Sequence, residues 1–197
     1  MKILIACETS GTVREAFRKL GHDAWSNDIL PSDDDSSNHI QGDCVDVILS
    51  QKWDFIGMHL PCTYIAVSGN AHYGKGKSKH HLRLQAIKWT MDVWKLATDV
   101  CNKVYLENPV GVLPIKPTQY IQPWMFGHPE SKKTGLWLHG LNKLKETDNV
   151  KYIFDTLPKH KQQRLHYLPP SKDRWKIRSK TFQGIADAMA KQWSTKE

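Results

Sequence analysis

The sequence has no cysteine pair at metal-binding or redox spacing. Cys7, Cys44, Cys62 and Cys101 stand far apart without a C-x-x-C motif, which argues against both a zinc site and a disulfide framework. No metal is expected, and a reducing, cytoplasmic setting is. Nor does any stretch approach the roughly 20 consecutive apolar residues of a membrane span, so a soluble chain without a membrane partner is expected. The opening "MKILIACETSG" has a short apolar run but no small-residue cleavage site after it, and reads as a first strand rather than a signal peptide. Internal repeats and long low-complexity tracts are missing too. Acidic residues are outnumbered: 20 Asp and Glu face 28 Lys and Arg, for a formal charge of +8. That balance favours a polyanionic partner, nucleic acid foremost.

What is present points to one domain across residues 1–197, since the length suits a single core better than two. "KILIACE" is a compact β-forming run, and "TVREAFRKLGHDA" places Val13, Ala16, Phe17 and Leu20 on one helical face before Gly21 ends the helix. A short strand "AWSNDIL", a polar acidic loop "PSDDDSSNHIQGD", a short helix "CVDVILSQ" and a strand "WDFIGMHLP" follow. "AHYGKGKSKHH" reads as a mobile basic loop. The longest helix comes next, with Leu84, Ile87, Met91, Trp94 and Leu96 to Ala97 as its expected apolar positions. "KVYLENP" returns to a β pattern and is expected to stop at Pro109. This alternation predicts an α/β fold, a Rossmann-like, mostly parallel sheet. Residues 110–180 are richer in Pro, Trp and basic residues and include a strand at "TGLWLHG". A final amphipathic helix, with Ile185, Met189 and Trp193 on one face, is expected to pack back on the core.

In open parallel sheets ligands bind beyond the carboxyl ends of the strands. The residues at those ends are Glu8, Thr9, Ser10 and Gly11; Asn27 and Asp28; Pro61 and Cys62; and Glu107 and Asn108, with Asp43 on a nearby loop. Each has a plain alternative. Cys62 is either a nucleophile or a small buried hydrophobe. Glu107 is an acid or a turn cap, and Asp28 and Asp43 are ligands or solvated loop acids. A thiol and a carboxylate at two strand ends, with acids after an earlier strand, exceed what loop composition supplies.

The order and spacing of "LIACETSGTVREAFRKLGHDA", "SNDILPSDDDSSNHIQGDCVD", "WDFIGMHLPCTYIAVSG" and "VYLENPVG" resemble the first motifs of the cytosine-5 DNA methyltransferases. "QPWMFGHPESKKTGLWL" and "DRWKIRSKTFQGIADAMAKQW" are similar to short phage and prophage proteins of that kind, and this second likeness spans essentially the whole chain. The resemblance implies an S-adenosylmethionine-dependent methyltransferase-like fold and a DNA partner, in the host cytoplasm if phage-encoded. It implies Cys62, after Pro61, as the nucleophile that adds to carbon 6 of cytosine, and Glu107 as the acid at ring N3, with Asn108 holding the loop. It places S-adenosylmethionine at Cys7, Glu8, Thr9 and Gly11, at Asp28 and at Asp43, and it implies a flipped-out base.

The chain departs from that pattern in five places. "CETSGT" keeps only Gly11 of a glycine-rich turn, Asp28 replaces the usual Glu, and Thr63 stands where Gln commonly follows the Cys. No clean Gln-x-Arg-x-Arg triplet occurs, and the large target-recognition segment is missing. Candidate nucleic-acid contacts are Lys75, Lys77 and Lys79 on the basic loop, His128, Lys132 and Lys133 in "HPESKK", and Arg164 and Arg174. Trp124 and Trp137 either stack on a base or pack in the core. Two other readings stay open: a catalytically inactive methyltransferase-fold protein that binds nucleic acid, and modification of a pyrimidine in RNA or free nucleotide with another one-carbon donor.

Overall fold

The computed structural model describes residues 1–194. Its centre is β1 (Lys2–Ala6), buried from Ile3 to Ala6. A strand covered on both faces must be apolar at successive positions, as "ILIA" is. Side chains alternate across a strand, so Ile3 and Ile5 enter one core layer while Leu4 and Ala6 enter the other. β2 (Asp23–Asp28) and β4 (Phe55–Met58) flank β1 in parallel, β3 (His39–Gln41) extends β2, and β5 (Val104–Pro109) extends β4.

The sheet has seven strands in the order β3-β2-β1-β4-β5-β7-β6. β7 (Thr134–His139) runs antiparallel between β5 and β6 (Gln119–Ile121), so β7 alone is reversed. The fold is therefore mixed α/β with a mostly parallel sheet. The strand order turns back between β1 and β4, which is where such sheets open a ligand crevice.

α1 (Thr12–Lys19) and the late helix "QGIADAMAKQW" cover one face of the sheet. Phe17, Phe55, Tyr105 and Trp193 meet there, with ring centroids 5.1 Å apart for Phe17–Phe55, 5.8 Å for Phe55–Tyr105 and 5.2 Å for Tyr105–Trp193. Ile185, Met189 and Trp193 are buried in that layer. α2 (Cys44–Leu49) and α4 (His80–Val100) cover the other face with Ile48, Val93 and Ala97.

Several expectations change. The basic segment 71–81 is partly helical, with α3 (Asn70–Tyr73) covering its start and the first turn of α4 its end. The acidic loop contains β3. The buried side of α4 is Arg83, Thr90, Val93 and Ala97, whereas Leu84 is exposed. Only the C-terminal half of α4 meets the sheet; its first turns lie over the segment after Cys62, which asks for a polar anchor. β5 does stop at Pro109 as expected, with Pro109 the last residue of the ladder, opposite Thr134 of β7. The basic region from 151 to 179 forms four short helices that periodicity did not reveal: α5 (Lys151–Thr156), α6 (Lys159–Gln162), α7 (Arg164–Tyr167) and α8 (Arg174–Ser179). The last helix, α9, spans Gln183–Trp193.

Candidate active site

The carboxyl ends of β1, β2, β4 and β5 bring the expected residues to one rim. Cys62 follows β4 on a turn in which its own carbonyl accepts from the backbone N–H of Ile65 and Ala66, at 3.1 and 2.9 Å. That segment then pairs with the chain after β5: Val67 N donates to the Val110 carbonyl and Val112 N to the Ile65 carbonyl, each at 3.0 Å. From above, Arg83 of α4 closes the turn. Its Nε donates to the Tyr64 carbonyl at 2.6 Å, Nη1 to Asn70 Oδ1 at 2.7 Å and Nη2 to the Ala66 carbonyl at 3.1 Å. Arg83 is buried, and burial of a cation is tolerated only with such partners. Asn108 is buried on β5 and its Nδ2 donates to the Leu60 carbonyl at 3.4 Å, while its Oδ1 has no partner.

Burial pushes the Cys62 thiol above its ordinary value, and the Glu107 carboxylate pushes it further; Lys132 and Arg178 pull it back. The thiol, one acid and two cations therefore share one electrostatic neighbourhood. Glu107 Oε2 lies 3.8 Å from His59 Nδ1. His59 Nε2 is 2.7 Å from the hydroxyl of Tyr105, and Thr181 Oγ1 is 3.4 Å from His59 Nδ1. Tyr105 is fully buried, which holds its phenol protonated well above its ordinary range. The Tyr105 hydroxyl thus meets one nitrogen of the imidazole and the Glu107 carboxylate faces the other. Gly57 makes this alignment possible, because a Cβ there would sit 2.4 Å from the Tyr105 ring.

At the cofactor end of the rim, Cys7 has φ 59°. That is a left-handed conformation that glycine adopts without cost and cysteine rarely does. Its thiol is hydrogen-bonded to Cys44, which with burial and the charges of Asp28 and Asp43 pushes Cys7 up, while the same bond pulls Cys44 down. Asp28 accepts from Leu30 N at 3.0 Å, and Asp43 caps α2 by accepting from Val45 N at 2.7 Å. Glu8 turns inward: Oε1 accepts from Val13 N at 2.7 Å and Oε2 from Arg14 N at 3.2 Å, so it caps α1. Thr9 Oγ1 donates to Asp33 Oδ2 at 3.2 Å. Gly11 is required by the fully buried Arg14. Its φ is +64°, and a Cβ would stand 2.2 Å from Arg14 Nη2 and 2.9 Å from Asp34 Oδ2.

The basic candidates divide. Lys75, Lys77 and Lys79 are exposed between α3 and α4. Lys132 is the one of these whose charge acts on the Cys62 thiol, and its Nζ donates to the carbonyls of Ser179 and Lys180. Lys133 lies over the Tyr120 ring at 4.6 Å. His128 is turned into the fold, accepting from Gly184 N at 3.0 Å and packing on Phe182. Arg164 pairs with Glu130 at 3.0 Å, and Arg174 Nη2 donates to the His166 carbonyl. Trp137 is buried with Nε1 donating to the Ile115 carbonyl, so it packs in the core.

Sequence reasoning missed His59, Tyr105, Arg83, Arg178 and Thr181. His59 carried a signal, since it follows β4 as directly as Cys62 does. Among the described residues, no cluster of three or more His, Cys, Asp or Glu could hold a metal ion, and no helix is long and apolar enough to cross a membrane. No protein-family profile matches the chain, and no curated protein matches it.

Proposed function

We propose that the chain is a DNA cytosine-5 methyltransferase-like enzyme, in which Cys62 adds to carbon 6 of the pyrimidine and Glu107 assists at N3. The observation that carries this reading is the placement of Cys62 just after β4 and of Glu107 on the neighbouring β5, with the carboxylate's charge raising the thiol. Proton accounting follows from the residues. The Cys62 thiol must lose its proton for sulfur to bond carbon 6, and N3 must gain one as the ring loses aromaticity. Glu107 can relay the proton, its carboxylate taking it from the thiol and giving one to N3 so that the addition is proton-neutral, and the His59 imidazole keeps the carboxyl oriented from its Oε2 side. Lys132 and Arg178 favour the thiolate and lessen, without cancelling, the rise that burial and Glu107 impose on the thiol.

The residues at the β1 and β2 ends fit S-adenosylmethionine. Asp28 and Asp43 offer acceptors for ribose hydroxyls and an adenine amine, and the acids Glu8, Asp28, Asp43 and Glu107 favour a sulfonium cation on this rim. The group would be held by Cys7, Thr9, Gly11, Asp28 and Asp43, and when bound supplies an electrophilic methyl. The parallel sheet with its reversal between β1 and β4 supports a site there.

An oligonucleotide carrying 5-fluorocytosine, incubated with the protein and S-adenosylmethionine, is expected to give a covalent adduct that maps to Cys62 and disappears in Cys62→Ala. No adduct with cofactor present would sink this reading. A second reading, a nucleic-acid-binding protein without catalysis, is favoured by Glu8, whose carboxylate caps α1 with both oxygens in the turn where a glycine-rich loop would leave room. Titration calorimetry separates the two, because a binder without a cofactor pocket gives no heat with S-adenosylmethionine.

A further inference from the structure

Residues 159–180 contain eight Lys and Arg against one Asp, a formal +7, which leaves +1 for the other 175 residues of a chain at +8. The charge is therefore concentrated in α6, α7, α8 and their connections. α8 has six residues and buries none of them. A helix of that length is far below the ~12 residues at which an isolated helix becomes marginally stable, and it has no apolar face to dock. It is held from outside instead. Lys176 Nζ donates to Asp33 Oδ1 at 2.9 Å, and Lys132 Nζ reaches the Ser179 and Lys180 carbonyls at 3.3 and 3.2 Å. Among what α8 presents to solvent, beside Lys176 and Arg178, are two large apolar side chains: Trp175 is 50% exposed and Ile177 42%.

Beside Trp175 lies a cavity of about 450 Å³, walled on its far side by Thr9 and the loop from Leu30 to Asp33. That volume is within the range of small-molecule sites and suits a nucleobase with its sugar. Its walls suit a base: Trp175, Leu30 and Pro31 are apolar, and Lys176, which also lines it, is held on Asp33, whose other oxygen accepts from the Thr9 hydroxyl. Arg178 follows Trp175 by three residues, so the two share a face about 4.5 Å apart along the helix. Arg178 is also the residue of α8 whose charge acts on Cys62.

We propose that α8 and this cavity form a binding site for single-stranded DNA, with one base stacked on Trp175 and the flanking phosphates on Lys172, Arg178 and Lys180. The proposal rests on the DNA-modification reading for the choice of DNA. A single strand is selected because stacking needs an open base face, which a duplex does not offer.

The test is fluorescence anisotropy of the full chain with a labelled single-stranded oligodeoxynucleotide, its duplex and the RNA of the same sequence. Trp175→Ala is expected to weaken single-strand binding about tenfold, while Trp175→Phe retains it, because the aromatic face is kept. If Trp175→Ala loses its fold, Trp175→Phe compared with Trp175→Leu makes the same distinction. Lys180→Ala is expected to reduce the salt dependence by about 0.7 in log–log slope, the loss of one phosphate contact. Unchanged binding on removal of the aromatic face, or duplex or RNA bound as tightly as the single strand, overturns the proposal. So does quenching of Trp175 by S-adenosylmethionine in place of the oligonucleotide, measured as the difference between wild type and Trp175→Phe. Failure of the Cys62 adduct leaves the Trp175 result standing, and the reverse also holds, so the two readings fail separately.

Discussion

Replacing Arg83 by Ala should loosen the segment that carries Cys62 while leaving the sheet intact. The guanidinium makes three hydrogen bonds, to the Tyr64 and Ala66 carbonyls and to Asn70 Oδ1. Bonds from a charged donor contribute about 1.5–3 kcal/mol each before desolvation of the buried cation is set against them. After substitution, Tyr64 and Asn70 are exposed enough for water to replace the donor, whereas Ala66 is buried and its carbonyl keeps the full penalty. The net cost is about 3 kcal/mol, which at this chain length lowers Tm by about 6–12 °C. Urea denaturation should show a lower midpoint with unchanged slope. Alkylation of Cys62 at fixed pH reads the local effect, and a 3 kcal/mol easier opening allows an increase of up to about 100-fold where reaction proceeds through the opened loop. Arg83→Lys keeps the charge but not the fork, and should fall between the two. A Tm within about 2 °C of wild type together with unchanged alkylation would refute the clamp.

Two further outcomes follow from the same geometry. Glu107→Gln removes a negative charge that disfavours the Cys62 thiolate, so the midpoint of the alkylation pH profile should move to lower pH, and Lys132→Ala should move it to higher pH; shifts of the opposite sign, or none, would show that these groups do not act on the thiol. Gly11→Ala places a Cβ into Arg14 at a φ of +64°, and should cost about 1–3 kcal/mol in chemical denaturation; a wild-type midpoint would show that the Arg14–Asp34 contact is dispensable.

The strand ends were legible because they depend on local composition. "KILIA", "DFIGM" and "VYLENP" are dense in residues that fit a sheet buried on both faces, and Pro61 and Gly21 mark where segments end. Cys62, Glu107 and Asn108 were then found by position alone. Arg83 was not found, because a single arginine among "HHLRLQAIKW" looks like a solvated helix residue until the segment beneath it is in place. The expected apolar face of α4 failed for the same reason: half of that helix covers a loop, not the sheet. The four short helices from 151 to 179 escaped because segments of four to six residues are too short to show a period. His59 follows β4 and Tyr105 lies on β5, and the imidazole acquires its role from a contact across 46 positions of sequence.

By itself, the sequence determined the α/β alternation, the residues at the carboxyl ends of β1, β2, β4 and β5, and the excess of positive charge, because each is set by local pattern or by counting. Tertiary structure decided which charges those residues feel. Glu8 caps α1, the free thiol of Cys44 raises that of Cys7, and His59 stands between Tyr105 and Glu107. It also decided that Lys132 and Arg178, 46 positions apart, act together on the Cys62 thiol. Electrostatic effects on a buried thiol fall off with distance in space, and sequence separation carries almost no information about that distance.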